Sequence, residues 1–160
     1  VDCGFSVESS TWVIQWHALA MFAPSFFTGH LITRFGVDRI VMIGMALLVL
    51  AAIAGLAGIS FAHFSVGLVL LGLGWNFGYI GGTTIVTESY LPAEKNKVQA
   101  LNDFAIFATV ATASLVSGKI LSTLGWAAVN WAALPAILLA SLAFLSFSFV
   151  ARSRTARTPA

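Results

Sequence analysis

The chain has 160 residues, 59% of them hydrophobic and only 9% charged, with net charge +2 and mean hydropathy +0.94. Soluble domains carry about 25% charged residues, so this composition is that of a membrane protein. The small net charge leaves no electrostatic footprint for nucleic acid, and a single cysteine, Cys3, excludes an internal disulfide or a cysteine-rich metal site.

The expected fold class is all-α, a polytopic transmembrane helix bundle. The first ten residues, VDCGFSVESS, are polar and do not form a signal peptide. The chain opens on Val rather than Met, which is read as a cut point within a longer protein. Ser9, Ser10 or Thr11 is expected to cap the first helix. Five apolar stretches follow, residues 11–33, 39–60, 64–87, 102–121 and 127–151, each near the ~20 residues that a bilayer needs. If these spans alternate, Arg34, Arg39, Lys95, Lys97, Arg152, Arg154 and Arg157 fall on one side and only Lys119 on the other. The positive-inside rule then puts the first residue outside and the basic tail, 152–160, in the cytoplasm.

The spans differ in polarity. The first carries Gln15 and Trp16 as expected interface anchors, then His17, Met21, Pro24 and Thr28 on one face. The second has no polar side chain between Arg39 and Ser60 and can face lipid. The third is glycine-rich and the most polar, with Trp75, Asn76, Tyr79, Thr83, Thr84 and Thr87. At about 100° per residue, Asn76, Tyr79, Thr83 and Thr87 fall within roughly 80° of one another, opposite Gly67, Gly74, Gly78 and Gly81. One side can offer hydrogen bonds while the other lets a neighbouring backbone approach. That pattern suits a cavity-lining helix. The fourth span has a small-residue seam at Ala105, Thr109, Ala113 and Ser117, and in the fifth Pro135 is a candidate kink. By polarity, spans one, three and four are expected inside and spans two and five outside.

Two stretches resemble the major facilitator superfamily. Gly29-His-Leu-Ile-Thr-Arg34-Phe-Gly36-Val-Asp38 is similar to its G-x-x-x-D-R-x-G-R-[RK] loop signature: Gly29, Arg34 and Gly36 match, whereas Thr33, Val37 and Asp38 depart. Glu88-x6-Lys95 looks like the E-x6-R motif at the cytoplasmic end of the tenth helix, with Lys for Arg. The run TTIVTESYLPAEKNKVQALNDF is similar to the tenth-to-eleventh helix junction of bacterial members. The resemblance covers nearly the whole chain and aligns it with helices eight to twelve, an incomplete C-terminal half. It implies a bacterial inner-membrane, secondary active transporter of a small solute, completed by a seventh helix and an N-terminal half. It also implies a cytoplasmic ion-pair gate, here Arg34, Glu88, Lys95 and Asp103.

Within that frame Trp75, Asn76, Tyr79 and Thr83 are candidate substrate-contacting, cavity-lining residues, because transporter sites lie near the bilayer midplane. Asn76 could instead bond a neighbouring helix backbone and Trp75 simply pack. No His/Cys/Asp/Glu cluster suggests a metal, and no pair of reactive side chains suggests an enzyme. No cofactor is expected. Proton coupling stays open, since an imidazole titrates near neutral pH and His17 could carry the proton or merely pack. The alternative reading is a membrane-embedded structural or interaction fragment without transport of its own.

Overall fold

The computed structural model describes residues 6–155, with side chains over residues 6–150. Cys3 and the side chains of the basic tail lie outside that range. Every regular element among the described residues is helical: α1 (Val7–Phe22), α2 (Ser25–Phe35), α3 (Val37–Ala57), α4 (Phe61–Thr87), α5 (Lys95–Leu124) and α6 (Trp126–Thr155). A short 3-10 turn at Pro92–Glu94 precedes α5. The chain is thus an all-α membrane bundle.

Its start lies further upstream than the capping pattern suggests. Ser6, rather than Ser9, Ser10 or Thr11, caps α1, its hydroxyl accepting from the Ser9 amide at 3.1 Å. Two of the connections are a single glycine long. Gly36 joins α2 to α3 at φ 87° and ψ 146°, and Gly125 joins α5 to α6 at φ 83° and ψ −179°. A Cβ is strained in this region of backbone space, so only glycine turns the chain so abruptly.

Five spans were expected; four helices are individually long and apolar enough to cross a bilayer: α3, α4, α5 with its preceding turn, and α6. The first expected span is divided, because Pro24 has no N–H to give. It leaves α1 with 16 residues and α2 with 11. Ala23 (φ −59°, ψ −39°) and Pro24 (φ −64°, ψ −19°) nonetheless keep right-handed helical angles. The two pieces therefore continue in one direction as a kinked rod. Contacts of His17 with Leu68 and of Thr28 with Asn76 show that this rod runs parallel to α4. Pro135, the expected kink, sits inside a continuous α6.

The sharing of contact also departs from the polarity ranking. The second expected span, α3, is the best buried, with Ile40, Val41, Gly44, Ala51, Ala52 and Gly55 all inside. The fourth, α5, has no buried residue, and its seam residues Ala105, Thr109 and Ala113 are exposed. The reason is backbone proximity. Small residues on α3 meet the glycine side of α4 in an antiparallel pair, which brings the two main chains close. A methyl added at Gly74 would lie 2.9 Å from the Gly44 carbonyl oxygen, and one at Gly67 would lie 3.6 Å from that of Ala51. Apolarity tells which side chains lipid tolerates; it does not tell which helices touch.

At the far end of α3, Trp126 ties in α6. Its indole N–H donates to the Gly55 carbonyl at 2.7 Å, satisfying one of the orphan acceptors of a helix C-terminus. Its ring packs 4.7 Å from that of Phe64 on α4. These contacts yield a stability prediction for α4. Gly74→Ala is expected to cost about 1–3 kcal/mol through overpacking. Gly78→Ala, where an added methyl has nothing within 4 Å among the described residues, is expected to stay within about 0.5 kcal/mol. Thermal unfolding of the detergent-solubilised full-length protein distinguishes the two, and equal melting temperatures would contradict the packing described.

Candidate functional site

Helix α4 carries the candidate residues because it is held on two sides and leaves a third uncovered by its neighbours. Gly67, Gly74 and Gly81 take α3. Gly72 takes α1: a methyl there would lie 2.7 Å from the His17 carbonyl oxygen and 2.9 Å from the Ala20 Cβ. His17 answers the close approach with a hydrogen bond. Its Nδ1 lies 2.7 Å from the Leu68 carbonyl oxygen, and a carbonyl can only accept, so Nδ1 carries the proton.

Asn76 is 2% exposed, and both polar atoms of its amide are engaged. Its Nδ2 donates to the Met21 carbonyl and to the Ser25 hydroxyl, both at 2.7 Å, while its Oδ1 accepts from Thr28 Oγ1 at 2.7 Å. These partners flank Pro24. In an unbroken helix the Met21 carbonyl would take the Ser25 amide; no such bond exists at the kink. Asn76 supplies the missing donor from the neighbouring helix. A polar group is tolerated at this depth because every atom finds a partner.

Trp75 and Tyr79 stand beside Asn76 on the strip of α4 between the α1 and α3 contacts. Both are half-buried, and their rings stack at 6.1 Å with an interplanar angle of 15°. Among the described residues neither the Trp75 indole N–H nor the Tyr79 hydroxyl has a hydrogen-bond partner. One turn further, Thr83 Oγ1 is sealed and also without a partner. Thr84 and Thr87 differ, for their hydroxyls donate to the carbonyls of Ile80 (2.8 Å) and Thr84 (2.6 Å) on their own helix. The polar side of α4 thus divides into a stapled part, a self-satisfied part and an unpartnered part.

The charged candidates gather at one end of the bundle: Arg34 in the last turn of α2, Glu88 capping α4, Lys95 and Asp103 on α5. Arg34, Glu88 and Lys95 are exposed and Asp103 is half-buried. Among the described residues no ion pair joins them; the Arg34 guanidinium sits 5.4 Å over the Phe35 ring, and Asp103 accepts from Asn102 at 3.4 Å. No group of three or more His, Cys, Asp and Glu side chains among the described residues could hold a metal. A recess of about 700 Å³ between the start of α3 and the end of α6 includes Asp38, Arg39 and Ser148 but no residue of α4.

The sequence reading placed Pro24 and Asn76 on separate spans without joining them. The signal was faint: Met21, Pro24 and Thr28 share a face of one span, and Asn76 is the only amide inside another.

The family model of the Major Facilitator Superfamily matches residues 1–160. Among curated relatives, the riboflavin transporter RfnT of Brucella anthropi is 50% identical over 129 residues, covering 81% of this chain and 32% of the relative. An uncharacterised MFS-type transporter of Bacillus subtilis, YdeG, is 37% identical over 119 residues (73% and 28%). The drug efflux pump JefA of Mycobacterium tuberculosis is 28% identical over 120 residues (74% and 23%). The chain therefore spans a third or less of the length of these relatives. No solved structure matches. With four helices fit to cross a bilayer and a family match from end to end, the chain is an integral, multi-pass membrane protein of the Major Facilitator Superfamily.

Proposed function

We propose that the chain works as the C-terminal part of a secondary transporter that moves a small solute by alternating access. In this reading α1 and α2 together, α3, α4, α5 and α6 stand for helices eight to twelve. A seventh helix and an N-terminal half complete the protein and cover α5. The observation that carries the proposal is α4 itself. Two of its sides are locked into neighbours, while its third side holds aromatic and polar groups without protein partners at mid-depth. Such a surface belongs beside a wet cavity rather than lipid. Trp75 and Tyr79 line that cavity, Thr83 Oγ1 lies sealed one turn on, and Asn76 holds the strip in register from behind. The 50% identity to a riboflavin transporter makes a flavin the first solute to test. The excess of Lys and Arg at the Arg34–Lys97 end supports a cytoplasmic side for that end, and the reading takes the membrane to be a bacterial inner membrane.

Arg34, Glu88, Lys95 and Asp103 form the cytoplasmic gate, pairing in the outward-open state and separating on inward opening. Glu88→Gln in the full-length protein is then expected to slow transport several-fold while leaving expression intact, as initial rates in proteoliposomes would show. Wild-type rates would remove Glu88 from the gate. The decisive test is uptake of labelled riboflavin and a solute panel by the reconstituted full-length protein, with and without a proton gradient. Accumulation in excess of protein-free vesicles supports the reading, a gradient requirement identifies the coupling ion, and no accumulation of any solute contradicts transport.

A further inference from the structure

Helix α2 is tied to the bundle at few points. Thr28 is its only buried residue, and Phe26, Phe27, Thr33 and Arg34 are all exposed. At its start the backbone ladder is open: among the described residues no amide of 24–28 reaches a carbonyl of 19–22. One side chain from α4 spans the gap instead. Asn76 donates to the Met21 carbonyl before the kink and to Ser25 Oγ after it, and accepts from Thr28 Oγ1, each at 2.7 Å. The Thr28 hydroxyl has a second acceptor within reach, the Pro24 carbonyl of its own helix at 2.9 Å. Its proton therefore keeps a partner whether or not α4 holds it. At the far end a single uncrowded glycine, Gly36, joins α2 to α3 and absorbs a change of angle at little cost. Arg34 lies ten residues beyond Pro24, about 15 Å along the helix axis, so a turn of about 10° at the kink carries it roughly 2.6 Å. A displacement of that size is enough to make or part an ion pair, whose reach is about 4 Å.

We propose that Asn76 is a positioning residue: its amide sets the angle of α2 about the Pro24 joint and so couples the cavity strip of α4 to the end of the bundle that carries Arg34. This rests on the transport reading for its purpose, and on the three hydrogen bonds for its geometry. The glycine contacts of α4 with α1 and α3 make those three helices one frame, which leaves α2 as the movable piece. With the Ser25 and Thr28 bonds made, α2 lies against α4. With them released, the Met21 bond still caps the kink while α2 turns at Pro24 and Gly36. Asn76 stands between Trp75 and Tyr79, so a solute against those rings bears on the amide through its immediate neighbours.

The test uses full-length protein carrying Cys3→Ser and no other reactive thiol, and two substitutions of Thr28. Thr28→Val keeps the shape and removes the hydroxyl; Thr28→Ser keeps the hydroxyl and removes the methyl. Spin labels on Thr33→Cys and Ser89→Cys report α2 against the end of α4. Labels on Ile14→Cys and Ile59→Cys report α1 against the α3–α4 turn at the opposite end; all four positions are exposed. By paramagnetic resonance the Thr33–Ser89 distance is expected to shift by at least about 2 Å in Thr28→Val and to stay within about 1 Å of wild type in Thr28→Ser. The Ile14–Ile59 distance is expected to hold in both. In riboflavin uptake by proteoliposomes, Thr28→Val is expected to change kcat and KM together, by roughly 3-fold or more, whereas a mere loss of folded protein would lower the rate and leave KM alone. Wild-type distances or wild-type kcat and KM in Thr28→Val, an equal shift in Thr28→Ser, or an equal shift of the Ile14–Ile59 pair overturns the proposal. An α2 shift confined to Thr28→Val, in a protein that takes up no solute, supports the joint and overturns the transport reading alone.

Discussion

Asn76→Leu is expected to destabilise the full-length protein by about 2–4 kcal/mol, one of the largest effects of any substitution on α4. The leucine fills the volume but leaves the Met21 carbonyl bare at the kink and takes a partner from the Ser25 hydroxyl, while Thr28 keeps the Pro24 carbonyl at 2.9 Å. Interhelical hydrogen bonds in membranes average only about 0.6 kcal/mol each, so the lost bonds alone are not the main term. An acceptor left unpaired where no water reaches adds about 1–3 kcal/mol. A double-mutant cycle with Pro24→Ala isolates that term. Alanine at 24 restores an N–H and lets the helix straighten, so that the Ser25 amide can return to the Met21 carbonyl. Asn76→Leu in that background should cost at least ~1 kcal/mol less than in the wild type. Additive effects would mean that Asn76 contributes packing and not a staple.

The second large effect is expected at Gly72. Even a methyl here meets the His17 carbonyl oxygen at 2.7 Å and the Met21 amide nitrogen at 3.1 Å, both backbone atoms that no rotamer change can move aside. Gly72→Ala should cost about 1–3 kcal/mol. Gly72→Leu forces α1 away from α4 and takes the His17–Leu68 and Asn76–Met21 bonds with it. Its expected outcome is failure to recover monodisperse protein, or a loss of more than about 4 kcal/mol, a size that is exceptional for a single substitution. Fluorescence-detected size exclusion followed by thermal unfolding measures both variants. A Leu variant as stable as wild type would show that α1 and α4 are not in backbone contact.

These two positions also show what could be read in the one-dimensional pattern. Helix periodicity set the glycines of α4 opposite Asn76, and the structure presses Gly67, Gly74 and Gly81 onto α3 while turning Asn76 the other way. That much follows from side-chain direction along one helix. The partner of Asn76 does not, because it lies 55 residues away in sequence at Met21. Pro24 was read as one member of a face when its consequence was a freed carbonyl three residues back. Pro135, the candidate kink, lies inside α6, which continues through it as one helix. A proline's effect depends on whether another helix supplies a replacement donor, and only the assembled bundle contains that information. The place of α5 was hidden for a related reason. Its Ala105–Ser117 seam signals close packing, yet among the described residues no helix covers it. The charged candidates are legible as a group because loop position alone brings them to one end; among the described residues no ion pair joins them.

The central claim is that α4 turns its glycines and its amide inward and its aromatic strip toward solute and water. Cysteine accessibility along this helix tests it most directly. Trp75→Cys, Tyr79→Cys, Gly74→Cys and Asn76→Cys are placed one at a time in full-length protein carrying Cys3→Ser and no other reactive thiol. They are then treated in intact cells and inverted vesicles with a membrane-impermeant thiol reagent. Positions 75 and 79 should react in at least one orientation and be protected by solute, while 74 and 76 stay unreactive until the protein is denatured. Labelling at 74 or 76 with silence at 75 and 79 would contradict the orientation of the helix and everything built on it.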